Sequence, residues 1–228
     1  MGCSGSKSTG VDSQSTSKIV LHYFVVRVRA EPIRLLLHYG GIKFEDKRYT
    51  MEQWMEMTKK GEFRGPFGVL PYVEYNGEIL GQSIAILRFA ARSVGAFGEN
   101  AVETAQADSI ADTVTELVEP LSGLLLMKPD DMEEQLKTLY AATIVTSMKM
   151  LENQISTTND GKTGYLVGKK ITHADFMVFN IMETIEKTYQ KDDLDIYAEF
   201  PLLKGHRDLI KNLPQLQKYL NSRPDLPL

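Results

Sequence analysis

Beyond residue 3 the chain contains no cysteine. Its one thiol, Cys3, sits in a polar leader. Disulfide staples, Cys-rich zinc sites and thiol–disulfide exchange by the protein's own sulfur are therefore excluded from the folded part. Histidine is sparse too. His22, His38, His173 and His206 show no HExxH-like spacing, so no metal site is expected. No run of 18 apolar residues occurs, which removes a membrane-spanning helix. No charged n-region followed by an apolar h-region is present, so no secretory signal is expected. An excess of Lys and Arg is also missing: the net charge is −4, with 26 basic against 30 acidic residues, and nucleic acid is not an expected partner. What remains is an ordinary soluble composition of 228 residues, 43% apolar and 25% charged, enough for one large or two small domains.

The first seventeen residues, MGCSGSKSTGVDSQSTS, are too polar to bury a core and read as a disordered leader. Gly2 follows the initiator methionine, and Ser6 occupies the last position of the M-G-x-x-x-[ST] pattern of N-myristoylation. Cys3 beside it suits palmitoylation, and two acyl chains hold a protein to a membrane where one does so only marginally. The alternative is a plain flexible terminus. Together these features predict a cytoplasmic protein, attached to the cytoplasmic face of a membrane where the leader is acylated.

From residue 18 the pattern is that of a folded chain. Residues 18–26 read as a strand, 30–39 as a helix with Pro32 in its first turn and Gly40-Gly41 as its stop, and 42–50 as a second strand. Residues 51–68 read as a short irregular helix and loop. Residues 69–80 read as a hairpin around Asn76-Gly77, and 82–95 as a helix begun near Ser83 and ended by Gly95. The order β-α-β-α-β-β-α, with Pro71 at the start of the third strand, is the thioredoxin-like arrangement, and it favours a cis peptide before Pro71. Gly95 to Glu99 is a linker. Past it, residues 100–128, 131–156, 172–190 and 201–222 carry helical periodicity, with Thr172 and Asp175 marking one helix start. The fold class is α/β plus all-α: a thioredoxin-like domain over residues 18–95 and an all-helical domain over 100–228.

The first strand ends oddly. KIVLHYFVVRVRAEPIR begins as a buried β run, yet it carries Tyr23 inside it and Arg27 and Arg29 directly after. A thioredoxin-like domain without cysteine handles sulfur only if the thiol arrives on a ligand. Taken with EQWMEM, PFGVLPYVEYNGEILGQSIAILRFA and ITHADF, this stretch resembles the cytosolic glutathione transferases over residues 18–228, in particular the sigma-like class that includes glutathione-dependent prostaglandin D synthases and helminth enzymes.

The resemblance implies roles for individual residues. Tyr23 corresponds to the catalytic tyrosine, whose hydroxyl donates to the glutathione sulfur. A free thiol has pKa about 8.5, and a hydrogen bond to the charged form favours thiolate. Arg29 corresponds to an arginine whose charge also favours thiolate. Arg27 has no family role, and an ion pair with Glu31 is expected. Val28 stands where many members have glycine; a β-branched side chain resists φ > 0, so the loop there is expected to differ in shape. Trp54 corresponds to a tryptophan whose indole N–H meets a glutathione carboxylate, with packing as the alternative. Lys59 or Lys60 corresponds to a lysine nearby. Gly68, Val69 and Leu70, ahead of Pro71, present backbone to the cysteinyl part of the tripeptide. Gln82 and Ser83 bind the γ-glutamyl carboxylate at a helix N-terminus, Ser83 also being an N-cap candidate.

On the polar stripe Asp108, Asp112, Thr115, Glu116 and Glu119, the resemblance implies that Glu116 crosses a homodimer to the glutathione amino group. Thr115 replaces a carboxylate of the metal-binding members, so no metal is expected there. His173 reads as a packing residue and Asp175 as a structural cap. The implied activity is conjugation of glutathione to hydrophobic electrophiles in detoxification. A glutathione-dependent isomerase, or a non-enzymatic ligand-binding member, is the alternative.

Overall fold

The computed structural model describes residues 18–124, 129–189 and 194–226. The leader, with Gly2 and Cys3, lies outside the described residues.

The N-terminal part is built from β1 (Ile19–Phe24), α1 (Glu31–Tyr39), β2 (Phe44–Tyr49), α2 (Met51–Lys59), β3 (Tyr72–Tyr75), β4 (Glu78–Gly81) and α3 (Ser83–Val94). The four strands form one sheet in the order β2-β1-β3-β4. β1 runs parallel to β2 and antiparallel to β3, with Ile19 opposite both Phe44 and Tyr75. A central strand is buried on both faces, and five of the six residues of β1 are buried, His22 and Tyr23 among them. The β3–β4 hairpin turns on Asn76 (φ +52°) and Gly77 (φ +91°), two left-handed residues that only an Asn-Gly pair adopts cheaply. Asn76 Oδ1 accepts a hydrogen bond from the Lys18 amide at 3.2 Å, which ties the start of β1 to this turn. The Leu70–Pro71 peptide is cis, as the strand-start proline predicts.

Residues 51–59 are not irregular. They form a regular helix because Thr50 and Gln53 close a capping box: Gln53 N donates to Thr50 Oγ1 at 3.2 Å, and Thr50 N donates to Gln53 Oε1 at 2.8 Å. This helix buries none of its residues fully.

The helical part comprises α4 (Ala101–Leu124), α5 (Pro129–Leu139), a π turn at Tyr140–Ile144, α6 (Val145–Thr157), a 3₁₀ turn at Thr158–Gly161, α7 (His173–Tyr189), α8 (Pro201–Lys211) and α9 (Pro214–Ser222). α4 continues through Pro120 to Leu124. α7 packs against α1, α4 and α8, so it is apolar nearly all round. Asp175 starts it from full burial. Its carboxylate accepts from Thr172 N (2.7 Å), Thr172 Oγ1 (3.0 Å) and Leu166 N (3.0 Å), and lies 3.1 Å from His206 Nε2.

Two expected contacts fall out differently. Arg27 pairs with Asp225, at 3.4 Å, rather than with Glu31. Glu31 is buried and taken by Arg34, Tyr219 and Arg223. His173 does more than pack: its Nε2 lies 3.0 Å from Asp108 Oδ1.

Candidate functional site

β1 delivers Tyr23 to its C-terminal end, buried, beside the loop 25–30 that leads into α1. Burial pushes the Tyr23 phenol above its ordinary pKa. The backbone N–H of Arg29, then the Arg29 and Arg34 guanidiniums, act in the opposite direction with smaller weight. At neutral pH the phenol keeps its proton and remains a hydrogen-bond donor, while the cations around it favour an anion placed against it. Arg29 itself is loosely held, its guanidinium 3.5 Å from Glu119 on α4 and partly exposed.

The loop has the shape a valine was expected to resist. Val28 adopts φ +26°, in the left-handed region, so side-chain branching does not exclude that conformation here. Its carbonyl accepts a hydrogen bond from Asn180 Nδ2 at 3.1 Å.

Trp54, on α2, stacks edge-on against Phe24 and Phe63, with ring centroids 5.7 and 6.2 Å away. The packing alternative is therefore real. Yet the indole N–H is buried without a partner among the described residues, a donor left over for something else. Lys59 is exposed at the end of α2, and Lys60 pairs with Glu56 at 2.7 Å.

After α2 the chain turns at Gly68, φ +70°, whose amide donates to Gly65 O at 3.1 Å. Val69 is exposed and Leu70 buried, so the backbone before Pro71 runs from the surface inwards. Gly81 supports this turn. A Cβ there would lie 2.6 Å from Pro66 and 2.8 Å from Phe67, so only glycine lets the loop rest on β4. Gln82 follows at φ +69° and is the N-cap of α3, without a side-chain cap bond. Ser83 is accordingly the first helical residue rather than the cap, and it is buried. The first amides of α3 have no side-chain cap from Gln82, which leaves an anion-favouring helix start.

The acidic stripe of α4 divides. Asp108 accepts from Arg88 Nε at 2.8 Å, and Asp112 accepts from Arg88 Nη2 at 2.8 and 2.9 Å. Glu119 meets Arg29, while Glu116 stays exposed. Thr115 and Asn180 join Val28, Arg29, Ser83 and Ile84 around a narrow cleft between the two domains. Asn180, Arg34 and Arg88 escaped the sequence reading. The one visible signal was an amide inside the apolar stretch FMVFNIM. Among the described residues, no group of three or more His, Cys, Asp or Glu is placed to hold a metal, and no helix is long and apolar enough to cross a membrane.

A family model described as glutathione S-transferase, N-terminal domain, matches residues 19–92, and one described as glutathione S-transferase, C-terminal domain, matches residues 115–223. The chain belongs to the glutathione S-transferase family. It is 32% identical to glutathione S-transferase 1 of Ascaris suum, covering 91% of this chain and 97% of that one. It is 33% identical to the hematopoietic prostaglandin D synthase of Gallus gallus, over 90% of this chain and 96% of that protein. Among solved structures, the Ascaris lumbricoides glutathione S-transferase superposes with a TM-score of 0.81 at 31% identity, covering 92% of this chain and all of the other. A monomeric hookworm member from Necator americanus superposes at 0.78 with 27% identity, over 92% of this chain and 100% of that one. This glutathione transferase thus carries the family's thioredoxin-like domain and helical domain in one chain of common length.

Proposed function

We propose that this transferase joins the sulfur of glutathione to an electrophilic carbon of hydrophobic compounds, with Tyr23 as the group that makes the sulfur reactive. The phenol donates to the sulfur. The thiol proton passes to solvent, the thiolate attacks carbon to form a C–S bond, and the leaving group departs with the bonding pair. The observation that supports this reading is the buried Tyr23 phenol at the end of β1, next to the loop that carries Arg29.

The tripeptide lies along the backbone of Gly68, Val69 and Leu70. Its γ-glutamyl carboxylate sits at the start of α3 against Gln82 and Ser83, and a second carboxylate takes the Trp54 N–H and Lys59. The unpartnered indole and the side-chain-uncapped α3 start support this placement. Arg29 borders the electrophile, whose pocket lies among Val26, Arg29 and α4. Glu116, exposed on α4, reaches the glutathione amino group of the other subunit in a homodimer. Myristoylation at Gly2 and palmitoylation at Cys3 attach the enzyme to a cytoplasmic membrane face, where lipid-derived electrophiles arise and are detoxified.

Binding to immobilised glutathione and turnover of an aryl halide test the reading. Tyr23→Phe is expected to keep binding and lose turnover about ten- to a hundredfold, the worth of a hydrogen bond to a charged group. Wild-type turnover in that variant rejects the role. The likeness to the Gallus gallus prostaglandin D synthase favours a second reading, isomerisation with glutathione unchanged overall. Product analysis separates the two, because only conjugation consumes glutathione. Light scattering of the full chain tests the dimer, and mass spectrometry of protein from its native cell tests the leader.

A further inference from the structure

Val28 O and the Arg29 N–H are the two ends of one peptide unit. A peptide unit is planar and trans, so gripping one end aims the other. Here the carbonyl end is gripped by Asn180 Nδ2 at 3.1 Å, and the N–H at the amide end acts to lower the pKa that burial raises at Tyr23. We propose that Asn180, on α7, is a positioning residue of the reaction centre: by gripping the Val28–Arg29 peptide it fixes the loop that lies beside Tyr23. The proposal rests on the reading of Tyr23 as the sulfur's partner.

Three further observations make Asn180 the decisive hold on this loop. First, the other main-chain holds come from within the N-terminal domain: Val25 N donates to Tyr49 O at 3.0 Å, Arg34 Nη1 to Val26 O at 3.2 Å, and Glu31 N to Arg27 O at 3.1 Å. None of them touches the Val28–Arg29 peptide. Second, the peptide is turned against its local preference. A β-branched residue at φ +26° relaxes towards negative φ unless something holds it. Third, Asn180 is only 4% exposed, in an apolar stretch of α7 between Phe179 and Ile181. A buried amide there is unfavourable without a partner, and the Val28 carbonyl is that partner. The side-chain holds are weaker. Arg27 meets Asp225, whose side chain is 86% exposed, and Arg29 meets Glu119 at 3.5 Å; such solvated pairs contribute little.

The test uses the full chain, four single variants and one double variant. Asn180→Leu keeps the branched heavy-atom skeleton in apolar surroundings and removes the donor; Asn180→Ala removes both and guards against overpacking by the larger leucine. The primary readout is the ultraviolet absorbance of enzyme-bound thiolate titrated against pH, with kcat and KM for glutathione alongside. Both variants are expected to move the thiolate titration to higher pH and lower kcat about tenfold, with KM for glutathione within about twofold. Val28→Gly supplies the control, because glycine holds positive φ without help. The shift caused by Asn180→Leu is expected to shrink in the Val28→Gly background. An unchanged titration in Asn180→Leu, or a shift of equal size in both backgrounds, overturns the proposal. Tyr23→Phe distinguishes its failure from that of the underlying reading. If Tyr23→Phe leaves the titration at its wild-type position, the tyrosine role fails and the proposal with it. If Tyr23→Phe moves the titration and Asn180→Leu does not, only the proposal fails.

Discussion

Glu31 and Arg223 meet at 2.9 Å across 192 residues of chain, and the contact closes α9 onto α1. The Glu31 carboxylate is buried and also accepts from the Tyr219 hydroxyl, 2.9 Å from each oxygen, and from Arg34 Nη1 at 3.3 Å. Arg34, fully buried, continues the chain of charges to Asp46 at 3.0 Å. Arg223 extends it in the other direction to Glu183 at 2.6 Å. The cluster joins the two domains through the helix that follows the loop 25–30.

Removing one member of such a cluster leaves the others buried and uncompensated. Glu31→Ala is expected to lower stability by about 3–5 kcal/mol, far more than loss of the exposed Lys162–Asp160 pair. Urea unfolding followed by Trp54 fluorescence measures both. Equal small effects would show that the cluster is not buried in solution.

Asp175 satisfies three donors and faces His206 in full burial. Asp175→Ala is expected to lose about 3 kcal/mol or more, with the largest loss of amide protection at Leu166 and in the first turn of α7. Hydrogen exchange locates the loss. Uniform deprotection across the chain would contradict a local role.

Trp54 divides its side chain between packing and an unpartnered donor. Trp54→Phe keeps the edge-on contacts and deletes the N–H. Expected is a rise of about five- to tenfold in KM for glutathione, with stability changed by less than about 1 kcal/mol. A stability loss with KM unmoved would assign the residue to packing alone.

His22, His38 and His173 all have pKa values lowered from 6.5, in each case chiefly by burial. Around His22, the Glu74 and Glu45 carboxylates raise the value and Lys47 lowers it, without reversing the burial effect. Below pH 6.5 the unfolded chain binds protons at these sites and the folded chain does not. Stability is therefore full above that pH and declines as pH falls through and below it. The urea midpoint is expected to be lower at pH 5.5 than at 7.5, and a midpoint that rises on acidification would refute this.

Local chemistry was legible in the sequence where the deciding partners are close in the chain. Asn76-Gly77 announced its hairpin, Pro71 its cis bond, and Thr172 with Asp175 the start of α7. The capping box that makes α2 regular is just as local, set by Thr50 and Gln53. What no local pattern carries is the choice of distant partner. Arg27 has Glu31 four residues away and takes Asp225 instead, because Glu31 is already held by three groups from α1, α9 and its end. Val28 adopts positive φ against its own preference, with an amide 152 residues later gripping its carbonyl. At the site itself, motif positions located Tyr23, Trp54 and Ser83, whereas the reason each has its state — burial, a missing partner, a first-turn place — is tertiary.

The direction of β1 has one more consequence. Its start at Lys18 is fastened to the Asn76 turn, and its end carries Tyr23, about 17 Å further along at the usual rise per residue. Asp225, by contrast, rests on Arg27 in the loop just past that end. The strand thus begins at the floor of the molecule and ends at its door, and Asp225 stands on the door side.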